Sequence, residues 1–452
     1  MGSSVRYFLV FNWMIKRHNQ LFIGGIMIPI ITRENFNYSR THIHQPNITL
    51  QQTVHQIIQQ VIERGDDALR ELTKQFDHVN IAQFRVPESM IDQATQEISP
   101  EHRKIITNAI DNVKRFHQKQ VAQSWQLDFP DGSSLGQIVQ PIDRVGIYIP
   151  GGRAVYPSSV IMNAIPALIA GVLSIAVVSP PQPNGYPHPL ILATCGILGL
   201  NEIYSVGGAQ SIAALAYGTD SISPVYKITG PGNAYVAEAK RQVFGYVGID
   251  SIAGPSEIVI LHDNPQVPVE FIVRDLLSQA EHDPDAKTIF ITCYPEIAQQ
   301  VVNRLNDLVP QLPRREIIES SLKQNGTCVL ISTIQQGIDL VNLMAPEHLE
   351  ILVQDESISS KIRNAGAMFI GQWSSEPLGD YYAGPNHILP TNGSAMFSSA
   401  LGVYDFQKYT SMINYSKNRF MHEGPNVVSF AEMEQLYAHA EAIKVRLLNH
   451  DS

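Results

Sequence analysis

The stretch NLMAPEHLE, residues 342–350, sets an acid and an imidazole on consecutive positions, Glu347 and His348. Consecutive side chains point to opposite faces of a strand and lie about 100° apart on a helix. Two neighbours that diverge in this way need not form one hydrogen-bonded pair; they can serve two different protons. An imidazole is suited to accept a proton near neutral pH, and a carboxylate beside it can activate water.

Three further stretches carry groups of the same kind. In SQAEH, Gln279 and His282 are three residues apart, close to the end of a predicted helix, and share a face. Two ligands at that spacing can grip one ion; a solvated helix end is the plainer alternative. In GDYYAGPNHILPTNG, Asp380 and His387 fall in a run rich in Gly, Pro and Asn that reads as a loop, and loops carry function disproportionately. A plain turn cluster explains the same composition. In MEQLYAHAEA, Glu434 and His439 are five apart on a predicted helix, where they do not quite share a face. VGGAQSIAALAYG and ITGPGNAYVAEAK are Gly-rich turns leading into helices, an arrangement that can hold phosphates. No G-x-G-x-x-G is present, so glycine spacing alone does not argue for a dinucleotide.

The elements that must position these groups show in the periodicity. From Thr49 to Phe116 apolar residues recur three and four apart, as in helices. From about Gln137 short apolar runs such as IDRVGIYIP and SIAVVS alternate with helical stretches and Gly-rich turns, which reads as βαβ units on a parallel sheet. SEIVILHD begins a second such unit, from about Ser256 to Gly371, and the tail closes with a helix, FAEMEQLYAHAEAIKVRLLN. The pattern predicts an α/β protein of two Rossmann-like parallel-sheet domains lacking the G-x-G-x-x-G fingerprint, with small helical and loop segments at the ends.

Composition narrows the function classes. The 452 residues, 44% hydrophobic and 16% charged, are ordinary for a globular chain of more than one domain. A net charge of −10 without a basic block argues against nucleic acid and anionic membrane as partners. Cys195, Cys293 and Cys328 lie far apart and read as reduced thiols of a cytoplasmic protein. The apolar runs of residues 1–26 are split by KRHNQ, too short to span a bilayer and without an A-x-A-like cleavage site. They are read as an N-terminal extension, not native or disordered, ahead of a functional chain that begins near Met27.

Taken in order, YIPGG, GGAQSIAALAYGT, GPGNAYVAEAK, AGPSE, DLLSQAEHDP, NLMAPEHLE, GDYYAGPNHILPT and AHAEAIKVR resemble the histidinol dehydrogenase family from about Ile30 to Arg446. The resemblance implies a zinc-dependent enzyme that oxidises L-histidinol to L-histidine with two NAD⁺, through an enzyme-held histidinal, at the last step of histidine biosynthesis. It implies Glu347 and His348 as the acid–base residues, and Gln279, His282, Asp380 and His439 as ligands of one Zn²⁺ that also meet the substrate. Ser256, His387, Glu434 and His348 are implied to contact substrate, and Tyr148, Gln210 and Asn233 to contact NAD. It further implies a homodimer with a shared active site, in which His439 serves the partner.

The domains expected on this basis are a helical part at 27–140 packing with the second α/β domain, an NAD-binding domain at 141–255, a metal and substrate domain at 256–395, and a tail at 396–452 reaching the partner's site. Alcohol-to-acid oxidation needs two hydride departures and one water addition, which suits a near-neutral base at His348 and water activation by Glu347. Neutral N and O ligands with one carboxylate suit Zn²⁺, with Mn²⁺ or Co²⁺ able to substitute. A zinc hydrolase and a non-catalytic ligand-binding module are the alternatives, and NADH formation from histidinol separates both from the dehydrogenase.

Overall fold

The computed structural model describes residues 28–38, 47–151 and 155–448; the extension expected at 1–26 lies outside the described residues. Regular structure begins with strand β1 (Ile30–Thr32) and four helices, α1 (Ile48–Arg64), α2 (Asp66–Asp77), α3 (Glu88–Glu97) and α4 (Pro100–His117). Local chemistry sets their ends. Asn47 accepts the Leu50 N–H at 3.0 Å and Ser99 the His102 N–H at 3.1 Å, each satisfying a donor left free in a first helical turn. Strands β2 (Trp125–Asp128) and β3 (Ser134–Pro141) follow.

The first parallel unit comprises β4 (Arg144–Tyr148), α5 (Pro157–Ala170), β5 (Ser174–Ser179), α6 (Pro189–Ile197), β6 (Ile203–Ser205), α7 (Gly208–Tyr217), β7 (Lys227–Thr229), α8 (Ala234–Val243) and β8 (Gly248–Ile249). Its five strands lie in the order β6-β5-β4-β7-β8. Both sheet faces are covered, which is why the strands read as nearly continuous apolar runs. Val145, Ile147 and Val177 pack with Ile110, Ile165 and Ile191 on one side. Tyr148, Ala176 and Val178 pack with Val54, Leu69, Ile212 and Val236 on the other.

The second unit comprises β9 (Glu257–His262), α9 (Val269–Ala280), β10 (Lys287–Thr292), α10 (Pro295–Leu308), α11 (Arg315–Asn325), β11 (Gly326–Leu330), α12 (Ile334–Met344), β12 (His348–Leu352), β13 (Ala367–Ile370) and α13 (Glu376–Tyr381). Its sheet runs β1-β11-β10-β9-β12-β13. Leaving β1 aside, the winding repeats that of the first unit: the first strand is central, the second and third lie to one side, the fourth and fifth to the other. The two predicted parallel sheets are thus both present, and they share one topology.

Two expectations are corrected. The helices of 27–140 pack chiefly with the first unit, although α4 also meets the 256–395 segment, Asn112 donating to Tyr382 O at 2.9 Å. α1 and α2 pack against α7 and α8 on one side of the first sheet, and α3 and α4 against α6 and α5 on the other, adding an outer layer of helix to each side. Only β1 joins the second sheet, alongside β11. The tail is also more ordered than a loop with a final helix. Strand β14 (Gln407–Asn414) pairs antiparallel with β3, from Gln407 opposite Pro141 to Asn414 opposite Ser134, completing a three-stranded sheet with β2. The single closing helix is two, α14 (Lys417–Met433) and α15 (Tyr437–Leu448), broken by a turn in which Gln435 adopts φ +60°. These two helices pack chiefly on each other.

Candidate active site

Parallel α/β sheets offer a crevice where the strand order reverses, ordinarily at the carboxyl ends of the strands. In the first sheet that point lies between β4 and β7. Tyr148 ends β4, Gln210 lies in the first turn of α7, and Asn233 precedes α8 just after β7, so the three expected NAD residues gather around this crevice. The Tyr148 hydroxyl accepts the Gly208 N–H at 3.4 Å, and burial pushes its pKa up to about 12, so it remains a phenol. Asn233 caps α8, its Oδ1 taking the N–H groups of Tyr235 and Val236 at 3.0 and 3.2 Å. The turn between β7 and α8 is clamped from below. Lys240 forms an ion pair with Asp250 and donates to Gly230 O at 3.0 Å, while the Gly230 N–H donates to Asp250 Oδ2 at 2.8 Å. Gly230, at φ +119°, lies so close to Tyr148 that a Cβ would stand 2.1 Å from its carbonyl oxygen. The hydroxyls of Ser179, Ser205 and Thr229, at the ends of β5, β6 and β7, are buried without a partner among the described residues.

The second sheet reverses between β9 and β12, but its chemistry stands at the opposite, amino edge. Helix α12 ends at Met344, Ala345 takes φ +51°, and Pro346 leads into Glu347 and the first residue of β12, His348. Beside them β9 starts at Glu257, with Ser256, half-buried, immediately before it. The Glu257 N–H donates to Glu347 Oε2 at 2.9 Å, and His348 Nδ1 donates to Glu257 O at 3.1 Å. Both side chains therefore turn to one backbone unit, with His348 Nδ1 3.7 Å from Glu347 Oε2. The divergence expected from strand alternation does not hold, because Glu347 lies just before the strand.

The atoms they offer still differ. Donation from Nδ1 leaves Nε2 as the lone-pair nitrogen of a neutral ring, and Nε2 is buried without a hydrogen-bond partner among the described residues, 3.8 Å from Asp380 Oδ1 and 3.9 Å from Glu376 Oε1. Burial, opposed by the Glu257 carbonyl, pushes His348 down to about 3, below the near-neutral value expected. The ring is thereby held neutral, and a proton arriving at Nε2 must be stabilised by the two carboxyl groups facing it. Burial likewise raises Glu347 well above the usual carboxylate range, against the pull of the Glu257 N–H.

Helix α9 brings Gln279, fully buried, to the same edge, and neither polar atom of its amide has a partner among the described residues. His282 lies two residues past the helix end, its N–H donating to Gln279 O at 3.2 Å, and the residue is exposed. Asp380 lies on α13, a short helix where a loop was expected, because Glu376 and Pro377 open a helical turn. His387 remains in the loop and donates from Nδ1 to Asp380 O at 2.8 Å. One ligand atom from each of His282, Glu376 and Asp380 lies within 4.8 Å of the others. With the unpartnered amide of Gln279, this donor set fits a divalent cation. Burial and the adjacent Asp380 carboxyl push Glu376 up to about 8, and burial pushes Asp380 up to about 6.

Glu434 and His439 stay apart from this group. Both are exposed, on the turn and helix that end the chain, and His439 does not join the cluster within its own chain. Sequence reasoning missed two acids that the fold brings in. Glu376 stands four residues before Asp380, the spacing of one helix face. Glu350 stands two residues after His348, on the same face of β12, and its Oε1 accepts the Glu376 N–H at 2.9 Å.

An open parallel α/β protein with a strand-order reversal at its first sheet, and a buried acid–imidazole pair beside a cation-competent cluster at its second, is the class that fold and site define. A family model for histidinol dehydrogenase matches residues 40–447. Histidinol dehydrogenases of Halalkalibacterium halodurans and Bacillus subtilis are 50% and 48% identical, covering 88% and 87% of this chain and 94% and 92% of their own. The crystal structure of the histidinol dehydrogenase from Elizabethkingia anophelis superposes with a TM-score of 0.88 at 34% identity, over 95% of this chain and all of that one. The chain belongs to the histidinol dehydrogenase family, and is an oxidoreductase of histidine biosynthesis. Among the described residues no helix is long and apolar enough to cross a membrane.

Proposed function

We propose that this chain oxidises L-histidinol to L-histidine in two NAD-linked steps at a zinc centre, as a homodimer in the cytoplasm. The observation that carries the reading is the unpartnered polar set at the amino edge of the second sheet: both amide atoms of Gln279 and Nε2 of His348, all buried. Buried polar atoms without partners are costly in a folded chain and are ordinarily explained by a ligand.

In this reading Gln279, His282 and Asp380, with His439 of a second copy, hold the zinc. Zinc would supply Lewis-acid stabilisation of charge on oxygen and orientation of the substrate. Tyr148, Gln210 and Asn233 would border the dinucleotide, a fresh NAD⁺ supplying the hydride acceptor for each of the two steps. His348, tethered through Nδ1, accepts the alcohol proton at Nε2 as hydride leaves, and Asp380 and Glu376 stabilise the resulting imidazolium. Glu347, fixed by the Glu257 N–H, takes a proton from the water that adds to the aldehyde. His348 acts again in the second oxidation. Ser256, His387 and the second copy's Glu434 orient the substrate.

The homodimer is supported by apolar side chains presented on the terminal hairpin and its neighbouring sheet. Phe430, Met433, Leu448 and Ile413 are 60–78% exposed, apolar side chains available for a second copy to cover. The test is NADH absorbance on mixing purified protein with L-histidinol and NAD⁺, before and after chelation. Two NADH per histidinol, lost with the chelator and restored by Zn²⁺, is the expected result. Absence of NADH from the metal-loaded protein would overturn the proposal.

A further inference from the structure

Glu347 and His348 hang on one backbone unit, that of Glu257, and the side chain of Glu257 is itself held. We infer that Lys287 is a positioning residue of the reaction: its ammonium ties Glu257 to Asn392, in the segment that follows His387, and so fixes the unit that carries both reacting groups. The inference rests on the reading of Glu347 and His348 given above.

Glu257 opens β9 and Lys287 opens β10, directly opposite each other in the register. The Lys287 N–H donates to Ser256 O at 3.0 Å, and its ammonium reaches Glu257 Oε2 at 3.3 Å. Glu257 is 6% exposed, and its other oxygen, Oε1, is buried with no hydrogen-bond partner among the described residues. A buried carboxylate without a counter-charge is costly, so this acid depends on Lys287 to stand at the strand start. From its other side the ammonium donates to Asn392 Oδ1 at 2.8 Å. That acceptor is built in. Asn392 adopts φ +53°, a left-handed conformation that Asn tolerates better than most residues. Beside it Thr391 Oγ1 accepts the Gly254 N–H at 2.7 Å. A Cβ on Gly254 would stand 1.8 Å from Asn392 Nδ2, so the turn lies directly on the chain two residues before Ser256. The line of support runs from Asn392 through Lys287 to Glu257, and from the Glu257 N–H and carbonyl to Glu347 and His348. Burial raises the Glu347 carboxyl above its usual range, and the charge of Glu257 adds to it. An ammonium on Glu257 offsets that repulsion, which otherwise works against the seat of Glu347 on the Glu257 N–H.

The experiment is single-turnover NADH formation with zinc-loaded protein in excess, started from histidinol and from histidinal. The limiting rate constant and the protein concentration giving half of it are measured for wild type, Lys287→Met, Lys287→Arg and Asn392→Gly, with zinc content and thermal unfolding on each. Lys287→Met should lower the limiting rate constant of both halves by about 10–100-fold, the scale on which a small displacement of a reacting group slows a reaction. The zinc should stay, since Gln279 and Asp380 are held by α9 and α13. Lys287→Arg keeps a cation with donors for both neighbours and should recover most of the rate. Asn392→Gly keeps the left-handed turn and removes the acceptor; it should slow both halves in the same direction by less, and it carries the test where Lys287→Met does not fold. A merely structural lysine would lower only the share of folded sites, raising the concentration for half the limiting rate and leaving the rate constant unchanged. That result, or a loss that follows zinc content, overturns the inference while leaving Glu347 and His348 as the reacting pair. A wild type that forms no NADH brings both down together.

Discussion

His348 Nδ1 stands 3.7 Å from Glu347 Oε2, and each group is fixed to the backbone of Glu257, one to its carbonyl and the other to its N–H. A strand start thus serves as a rigid holder for two adjacent side chains. Neither can rotate without giving up a buried hydrogen bond, a loss of about 1–3 kcal/mol for the group left bare. The free nitrogen of the imidazole is consequently held toward Asp380 and Glu376 rather than toward its own neighbour.

This arrangement predicts separable defects. Glu347→Gln keeps an acceptor for the Glu257 N–H but cannot take a proton, so it should still oxidise histidinol to the aldehyde and fail in the aldehyde-to-acid half. His348→Asn should impair both halves. Loss of a general base costs about 10²–10⁴-fold. Single-turnover NADH formation, started from histidinol and from histidinal, reads the two halves apart. Equal slowing of both by Glu347→Gln would make the pair one unit.

The exposed position of His439 predicts complementation. His439→Ala and Glu347→Ala, each inactive alone, should regain activity when mixed under conditions of subunit exchange. Half of a statistical mixture is heterodimer with one intact site of two, so recovery should approach about a quarter of the wild-type rate. No recovery despite exchange, shown by mass spectrometry of labelled chains, would confine His439 to its own chain.

The Lys240–Asp250 pair predicts a coupling between stability and dinucleotide binding. Both side chains are almost fully buried, and both contact Gly230 beside Tyr148. Lys240→Met leaves Asp250 buried and uncompensated, which should cost about 3–5 kcal/mol. It should also release the turn before Asn233 and weaken NADH binding. Urea unfolding and NADH fluorescence titration report the two effects. Unchanged binding in a destabilised variant would detach the clamp from the crevice.

Acid should destabilise the second sheet through His262, at the carboxyl end of β9 and so away from the amino edge. This buried ring accepts from Thr292 Oγ1 at Nδ1 and donates from Nε2 to Asn264 O, each at 2.9 Å. Burial lowers its pKa from 6.5 to about 4. Protonation is then costlier folded than unfolded, so its contribution is whole above pH 6.5 and is lost as pH falls toward 4. The loss should be about 3 kcal/mol. Comparing urea midpoints at the two ends of that window, His262→Gln should show the smaller fall; an equal fall would absolve His262.

Much of this was legible in the chain itself. The alternation of runs such as SIAVVS and PLILATCGI gave the parallel units, because strands covered on both faces must be apolar throughout. Less was legible where partners are distant. β3 and β14 lie about 270 residues apart and are half-exposed, so QKYTSMIN reads as loop until SLGQIVQP is laid beside it. Glu376 and Glu350 went unnoticed for a different reason. Buried acids look like surface acids in a sequence, and only the sheet and α9 closing over them distinguish the two. Glu434 and His439 read as one helix because nothing in FAEMEQLYAHAEA announces the left-handed Gln435 between them.

The second sheet offers its amino edge where the first offers its carboxyl edge, and that reversal has an electrostatic consequence. In a parallel α/β unit the helices run opposite to the strands. The first crevice is therefore ringed by the beginnings of α5, α7 and α8, where unpaired N–H groups give a partial positive charge. Such a place suits the pyrophosphate of a dinucleotide. The second site is ringed by the ends of α9 and α12, where unpaired carbonyls give a partial negative charge. That end suits a cation, and it would favour positive charge developing on His348 as it takes a proton. One winding, used from its two opposite poles, supplies both signs of field that the proposed reaction calls for.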